Sequence, residues 1–152
     1  YSKDPLFKIG KADVLESGDD ATIIAAGSTV IPALQARKLL KREGINVGVI
    51  NSPCIKPLDE RTIIEAAKRS KMIVVVENHN IIGGLGSAIA ELLSEQTPII
   101  VKRLGIGDVF GVSGSMEELF KLHGINSESI AFAVKEGLKT VNKRSGGNNI
   151  YD

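Results

Sequence analysis

Met72-Ile73-Val74-Val75-Val76 is the stretch of sequence that decides the fold. The run is continuously apolar and rich in β-branched residues, as expected for a strand that is covered on both faces. Strands of this kind belong in the middle of parallel sheets, which are found almost only with helices on both sides. We therefore expect this stretch to form a central strand of an α/β domain.

Further strands and helices alternate along the rest of the chain. Apolar runs predict strands over 21–26, 46–50 and 98–102. Helices are predicted over 30–43 with Ser28 or Thr29 as cap, from Asp59, around Ile89, from the Ser115/Glu118 capping box to about His123, and from Asn126 or Ser127 to about Val141. Because parallel strands need crossover connections, this order predicts a doubly wound, three-layer α/β/α fold with a mostly parallel sheet.

The length of 152 residues fits one such domain. We expect residues 1–20 to be a linker that leads into the domain, and residues 21–141 to form the domain itself. The glycine- and asparagine-rich residues 142–152 have little to bury and are expected to form a flexible tail.

Composition and charge exclude several classes of function. Nineteen basic and eighteen acidic side chains give a net charge of +1 without a basic stripe, so nucleic acid is not an expected partner. The chain has no apolar run of about 20 residues, so no membrane span is expected. Cys54 is the only cysteine and cannot form an internal disulfide, which favours the reducing cytoplasm. His79 and His123 lie far apart in sequence, so no metal site is predicted.

Two loops follow the carboxyl ends of predicted strands, where open α/β sheets bind ligands. Both loops precede helices, whose first N–H groups attract anions. The candidate anion-binding residues are Gly27, Ser28, Thr29, Gly83, Gly84, Gly86 and Ser87. The glycines have a structural alternative, because they also permit positive φ angles and close packing of helix on sheet. Neither loop carries a complete dinucleotide or phosphate-loop pattern.

Glu77-Asn78-His79 is the densest polar group at a predicted strand end. A carboxylate near an imidazole is a plausible acid/base pair. Alternatively, Glu77 accepts backbone N–H bonds and His79 lies at a subunit contact. These three residues are candidates for an interface or for the side that faces substrate, and we assign no residue as catalytic. His123 is interpreted as a helix-end residue, and Cys54 as an ordinary thiol.

Six short motifs follow one another along the chain: 7–12, Gly18-Asp19-Asp20, 50–59 ending in Ile55-Lys56-Pro57-Leu58-Asp59, Glu77-Asn78-His79, Gly83-Gly84-Leu85-Gly86-Ser87, and 105–110. In their order and spacing they resemble the C-terminal domain of transketolases, which depend on thiamine diphosphate. The match extends to about Leu138. The same domain occurs in 1-deoxyxylulose-5-phosphate synthase and in the β-subunits of 2-oxoacid dehydrogenases.

The resemblance implies a five-stranded, mostly parallel sheet with one antiparallel edge strand. It also implies partners, namely a pyrimidine-binding domain and a diphosphate-binding domain, on the same chain or on another subunit, in a homodimeric assembly. The complete enzyme would hold thiamine diphosphate and Mg²⁺, and would move a two-carbon ketol unit between sugar phosphates of the pentose phosphate pathway. The Gly-Asp-Gly cofactor motif is missing from the sequence, so we expect no cofactor in this domain and no activity in isolation.

Three hypotheses follow. The first is an assembly and dimerisation domain of a transketolase-like enzyme, which predicts exposed apolar residues where the other domains pack. The second is a free-standing binder of phosphate or nucleotide that uses the glycine loops. The third is a module that docks a partner enzyme, as in the dehydrogenase β-subunits.

Overall fold

A five-stranded sheet forms the middle layer of the fold in the computed structural model, which describes residues 7–146. The strands are β1 (Asp13–Glu16), β2 (Ala21–Ala25), β3 (Val47–Asn51), β4 (Met72–Asn80) and β5 (Ile100–Ile106). The helices are α1 (Val30–Arg42), α2 (Glu60–Arg69), α3 (Leu85–Gln96), α4 (Met116–Leu122) and α5 (Ser127–Gly146).

The strand order is β1-β3-β2-β4-β5. β2 pairs in parallel with both β3 and β4, and β4 pairs in parallel with β5. β1 runs antiparallel to β3 at one edge of the sheet. The predicted α/β class, the three layers and the mostly parallel five-stranded sheet are thereby confirmed.

Successive residues of the central strands point to opposite faces of the sheet, and both faces are buried. Ile23 and Val74 lie in the core beneath α1 and α5, whereas Ile24 and Val75 lie in the core beneath α2 and α3. All four side chains are fully buried. This double coverage explains why β4 begins as an unbroken apolar run rather than an alternating one.

The ends of several elements differ from the predicted ones. β1 lies within the segment that we predicted to be a linker, where its residues alternate between half-buried and exposed. β4 continues to Asn80, four residues past the predicted end, and α5 continues to Gly146. The first part of the predicted tail therefore belongs to α5, and residues 147–152 lie outside the described residues. The domain limits as a whole stay a prediction.

Helix starts follow the predicted capping residues in three of four cases. The Asn126 Oδ1 accepts the N–H of Ser129 at 3.1 Å at the start of α5. The Asp59 carboxylate accepts the N–H of Thr62 at the start of α2, and Ser115 and Glu118 form the predicted capping box of α4. α1 differs, because Thr29 makes no side-chain cap bond and residues 27–29 form one turn of 3₁₀ helix instead.

β5 is an edge strand with Lys102 and Arg103 exposed near its middle. Charged side chains on an edge discourage pairing with strands of other chains. Within residues 7–146, no helix combines the length and the apolar character needed to cross a bilayer.

Candidate functional site

The carboxyl edge of the sheet, by which we mean the side at which its four parallel strands end, brings the two predicted loops together. β2 lies between β3 and β4, so the chain turns in opposite directions on its two sides, and ligands of open α/β sheets bind at such a switch point. Ser28 follows β2, and Asn78 lies near the end of β4. The Asn78 Nδ2 donates to Ser28 Oγ across 3.4 Å, so polar groups of both loops meet at this crevice.

Glu77 is the central residue of this edge, and it is directed inward. Its side chain is buried, with 4% of the residue exposed. Oε2 accepts the N–H of Leu85 and Oε1 accepts the N–H of Gly86, each at 2.8 Å. These N–H groups belong to the first turn of α3, where a carboxylate is stabilised by the helix dipole as well as by the hydrogen bonds. Glu77 therefore acts as a built-in anion at the start of α3.

The glycine cluster makes room for that carboxylate. A Cβ on Gly84 would overlap Glu77 Oε2, and a Cβ on Gly86 would lie 3.0 Å from the Arg103 side chain and 3.1 Å from Glu77 Oε1. Gly83 has a φ of 77°, which glycine adopts without strain. The structural alternative for these glycines is therefore supported, because an external anion at this loop would have to displace Glu77.

The remaining residues of this loop bind one another. Ser87 Oγ accepts the N–H of Gly83 at 3.0 Å and lies 3.0 Å from Arg103 Nη1. Arg103 Nη1 also donates to the carbonyl oxygen of Ile81 at 2.8 Å. Sequence analysis missed Arg103, and the signal for it was weak, because the residue lies in a strand sixteen residues away from Ser87.

The Gly27-Ser28-Thr29 loop is held from inside the protein. Thr29 is buried, and its hydroxyl lies 2.9 Å from the carbonyl oxygens of both Ala26 and Val76. The hydroxyl therefore ties the start of α1 to β4. Gly27 has a φ of 57° and is exposed, and Ser28 is exposed beside Asn78. Of the three predicted anion-binding residues here, Gly27 and Ser28 face solvent and Thr29 does not.

His79 and Glu77 make separate contacts. The His79 Nδ1 lies 2.9 Å from the carbonyl oxygen of Asn80. A carbonyl oxygen only accepts, so Nδ1 is the donor in this contact. His79 is exposed, whereas both oxygens of Glu77 are bonded to the start of α3. These contacts give no support to an acid/base pair of the two residues.

The other reactive side chains have local roles. His123 is the C-cap of α4, and its N–H donates to the carbonyl oxygen of Leu119 at 2.9 Å. Cys54 is a half-buried free thiol in the loop after β3. Within the described part of the chain, no three His, Cys, Asp or Glu side chains are grouped so that they could hold a metal ion.

Large apolar side chains are exposed around the same carboxyl edge. Each of the four parallel strands is followed there by at least one of them, and the chain that leads into β1 adds another. We call this set the carboxyl-edge surface: Ile9 (74% exposed), Ile31 (66%), Ile55 (48%), Ile82 (64%), Val109 (63%) and Phe110 (99%). Such a concentration of exposed apolar side chains is typical of an interaction site rather than of a free surface.

The fold and this edge define an α/β domain that presents exposed apolar side chains at the carboxyl end of its sheet. Residues 10–130 match the family model of the transketolase C-terminal domain. The chain belongs to this family.

Individual relatives agree with the family match. A Methanocaldococcus jannaschii protein named as a transketolase C-terminal section is 46% identical over 135 residues, covering 88% of this chain and 42% of its own length. A 1-deoxy-D-xylulose-5-phosphate synthase of Caldanaerobacter subterraneus is 40% identical over 141 residues, covering 91% of this chain and 22% of that enzyme. The chain thus spans less than half the length of either relative.

A solved structure agrees as well. An inactive beta4 tetramer of a split gene transketolase superposes with a TM-score of 0.87 at 40% identity, covering 91% of this chain and 46% of that one. At this identity and TM-score, the two chains share the arrangement of strands and helices described above.

Proposed function

We propose that this chain is the assembly domain of a thiamine-diphosphate-dependent transketolase, and that it packs on the pyrimidine-binding and diphosphate-binding domains of that enzyme and supports its dimer. The complete enzyme transfers a two-carbon ketol unit between sugar phosphates, whereas the isolated domain is inactive. Its single cysteine favours a cytoplasmic location.

The carboxyl-edge surface is the observation that carries this proposal. Phe110 is 99% exposed in a loop that follows β5, and its neighbour Val109 is 63% exposed. Burying a phenylalanine of this kind against a partner stabilises the complex by about 1.5–3 kcal/mol. Apolar side chains that stay in water do not stabilise the domain, so a partner that covers them is the simplest explanation for their exposure.

The geometry around Glu77 argues against the hypothesis of a free-standing phosphate binder. The N–H groups of Leu85 and Gly86 would be the natural donors to a phosphate, and both bind Glu77 at 2.8 Å. The described residues also give no support to a thiamine diphosphate and magnesium site, because the sequence lacks the Gly-Asp-Gly motif and no three His, Cys, Asp or Glu side chains among the described residues are grouped around a metal position. We therefore assign no cofactor chemistry to them.

A binding experiment tests the proposal. The chain is mixed with the pyrimidine-binding domain that is encoded in the same gene or beside it, and the dissociation constant is measured by calorimetry. We expect Phe110→Ser to weaken binding about tenfold to a hundredfold, because a central aromatic residue typically carries about 2 kcal/mol or more of interface energy. The free energy of unfolding should not change, because the side chain is exposed.

Phe132→Ser is the matched control. Phe132 is also a largely exposed phenylalanine, at 62%, but it lies on α5 beside β5 rather than at the carboxyl edge. We expect this variant to bind like the wild type. An equal loss of affinity in both variants, or no binding by the wild type, would contradict the proposed assembly role.

The relative from Caldanaerobacter subterraneus motivates a second candidate within the same family, a 1-deoxy-D-xylulose-5-phosphate synthase. Reconstitution of the complete assembly separates the two candidates. Transfer of a ketol unit between sugar phosphates supports the transketolase, and formation of 1-deoxy-D-xylulose 5-phosphate supports the synthase.

A further inference from the structure

Asp59 makes more contacts than the cap of a helix requires. Its Oδ1 accepts the N–H of Thr62 at 3.4 Å, which caps α2, and its Oδ2 accepts the N–H of Ala12 at 3.1 Å. Lys11 Nζ lies 3.6 Å from Oδ1. The residue is only 7% exposed, so one buried carboxylate joins the start of α2 to a segment forty-seven residues earlier in the chain.

The charge state of Asp59 fits this double role. Burial by itself would raise the pKa of its carboxyl group. The hydrogen bonds from the Ala12 N–H and from Thr62, together with the charge of Lys11, outweigh that effect, so the pKa lies below its ordinary value of 3.8. The group is therefore ionised at neutral pH and accepts at both oxygens.

The segment that Asp59 holds, residues 8–12, lies on the loop that precedes α2. We call it the leading segment. It turns through a bond from the N–H of Lys11 to the carbonyl oxygen of Lys8, 3.1 Å long. Gly10 has a φ of 73°, and a Cβ added to it would lie 2.8 Å from Pro57 Cγ. The leading segment thus packs on the loop that contains Pro57 too closely for a side chain at position 10.

This contact places two members of the carboxyl-edge surface on neighbouring segments. Ile9 belongs to the leading segment, and Ile55 belongs to the loop that supports it. Ile9 is 74% exposed and Ile55 is 48% exposed, so neither side chain is held in place by burial of its own. Their position depends on the backbone that carries them, and for Ile9 that backbone is tied by Ala12 to Asp59.

We propose that Asp59 is a positioning residue for docking: one carboxylate caps α2 and fixes the leading segment, so that Ile9 is presented together with Ile55 to the partner domain. This inference rests on the proposed assembly function. The Lys56-Pro57-Leu58-Asp59 motif then has a second role besides helix capping, because it holds the leading segment in place.

The two oxygens of Asp59 allow the two roles to be separated. Serine caps helices about as well as aspartate, but its single short hydroxyl cannot also reach Ala12. Asp59→Ser should therefore keep the cap of α2 and release the leading segment. Asp59→Asn is a second variant, in which the amide nitrogen cannot accept, so one of the two backbone N–H groups loses its acceptor.

Amide hydrogen exchange on the isolated chain tests the first half of the proposal. In Asp59→Ser we expect the amides of the leading segment, above all Ala12, to exchange roughly tenfold to a hundredfold faster. The amides of α2 should keep their wild-type rates. Unchanged exchange at Ala12 would overturn the proposal.

Calorimetry with the pyrimidine-binding domain tests the second half. We expect Asp59→Ser to bind about tenfold more weakly, because an unfixed leading segment must be ordered during docking. Asp20→Asn is the matched control, since it removes a carboxylate that bonds Lys71 and Asn46, away from the leading segment. It should bind like the wild type although it also loses stability.

The outcomes distinguish the inference from the proposed function. Fast exchange at Ala12 with wild-type affinity would overturn the positioning role and leave the assembly function in place. Equal weakening by Asp59→Ser and Asp20→Asn would reduce the effect to general stability and overturn the inference. A wild-type chain that fails to bind would overturn the assembly function, and this inference with it.

Discussion

Replacing Glu77 by glutamine should destabilise the domain strongly, although the two side chains have almost the same shape. Both carboxylate oxygens of Glu77 accept buried backbone N–H groups, from Leu85 and from Gly86. A glutamine offers one oxygen and one NH₂ group in the same space. One N–H at the start of α3 would then face another donor.

The size of the effect follows from the number of bonds that change. A hydrogen bond to a charged group contributes about 1.5–3 kcal/mol, and a buried donor without an acceptor costs about 1–3 kcal/mol. The variant also loses a negative charge next to the positive end of the helix dipole, for about another 0.5 kcal/mol. Because these terms overlap, we expect Glu77→Gln to lower the free energy of unfolding by about 2–4 kcal/mol.

Urea denaturation followed by circular dichroism measures this change. The slope of the free energy against urea should stay the same, because the same surface is exposed on unfolding. Glu95→Gln is the control, since Glu95 is an exposed carboxylate on the same helix. A loss for Glu77→Gln within about 0.5 kcal/mol of the control would refute the role of Glu77 as a buried anion.

Two further variants test the packing and electrostatics of the sheet. A Cβ on Gly18 would overlap the backbone nitrogen of Gly48, so Gly18→Ala should cost about 3 kcal/mol or more in the same denaturation assay, whereas Gly111→Ala, in open space, should cost little. The hydrogen bond from Lys71 holds the pKa of Asp20 below its ordinary value of 3.8, so the stability from this pair is present above the unfolded pKa and is lost as the pH falls through the folded pKa. In Asp20→Asn the free energy of unfolding should therefore fall less steeply as the pH is lowered. The same dependence of that free energy on pH in the variant and the wild type, between pH 7 and 2, would contradict this assignment.

The sequence was most informative where structure depends on neighbouring residues. The run Met72–Val76 predicts a central strand because its burial on both faces leaves no polar positions, and Ser115 with Glu118 predicts a helix start because both partners of the capping box lie within one turn. The resemblance implied an antiparallel edge strand, but the residues of β1 did not locate it. Asp13 and Leu15 are half-buried and Val14 and Glu16 are exposed, so polar and apolar side chains do not alternate along this short strand as they would in a recognisable one.

The candidate site shows a different limit. A glycine cluster before a helix is compatible with an external phosphate and with an internal carboxylate, because both bind the same N–H groups. The sequence places Glu77 eight residues before Leu85 but does not show that the chain folds back to join them. In the same way, the bond between Asp59 and Ala12 spans forty-seven residues and leaves no local pattern.

The antiparallel direction of β1 has a consequence for the cost of assembly. The leading segment reaches the sheet at the carboxyl edge, so a domain joined upstream through a short flexible connection would be tethered directly beside the apolar side chains that we propose it covers. Tethering of this kind supplies an effective concentration on the order of millimolar, at which even a weak contact is almost fully formed. When the same domain is a separate subunit, this advantage is absent, and the interface alone must supply the missing affinity. A fused and a split form of one enzyme would therefore tolerate very different losses at this surface.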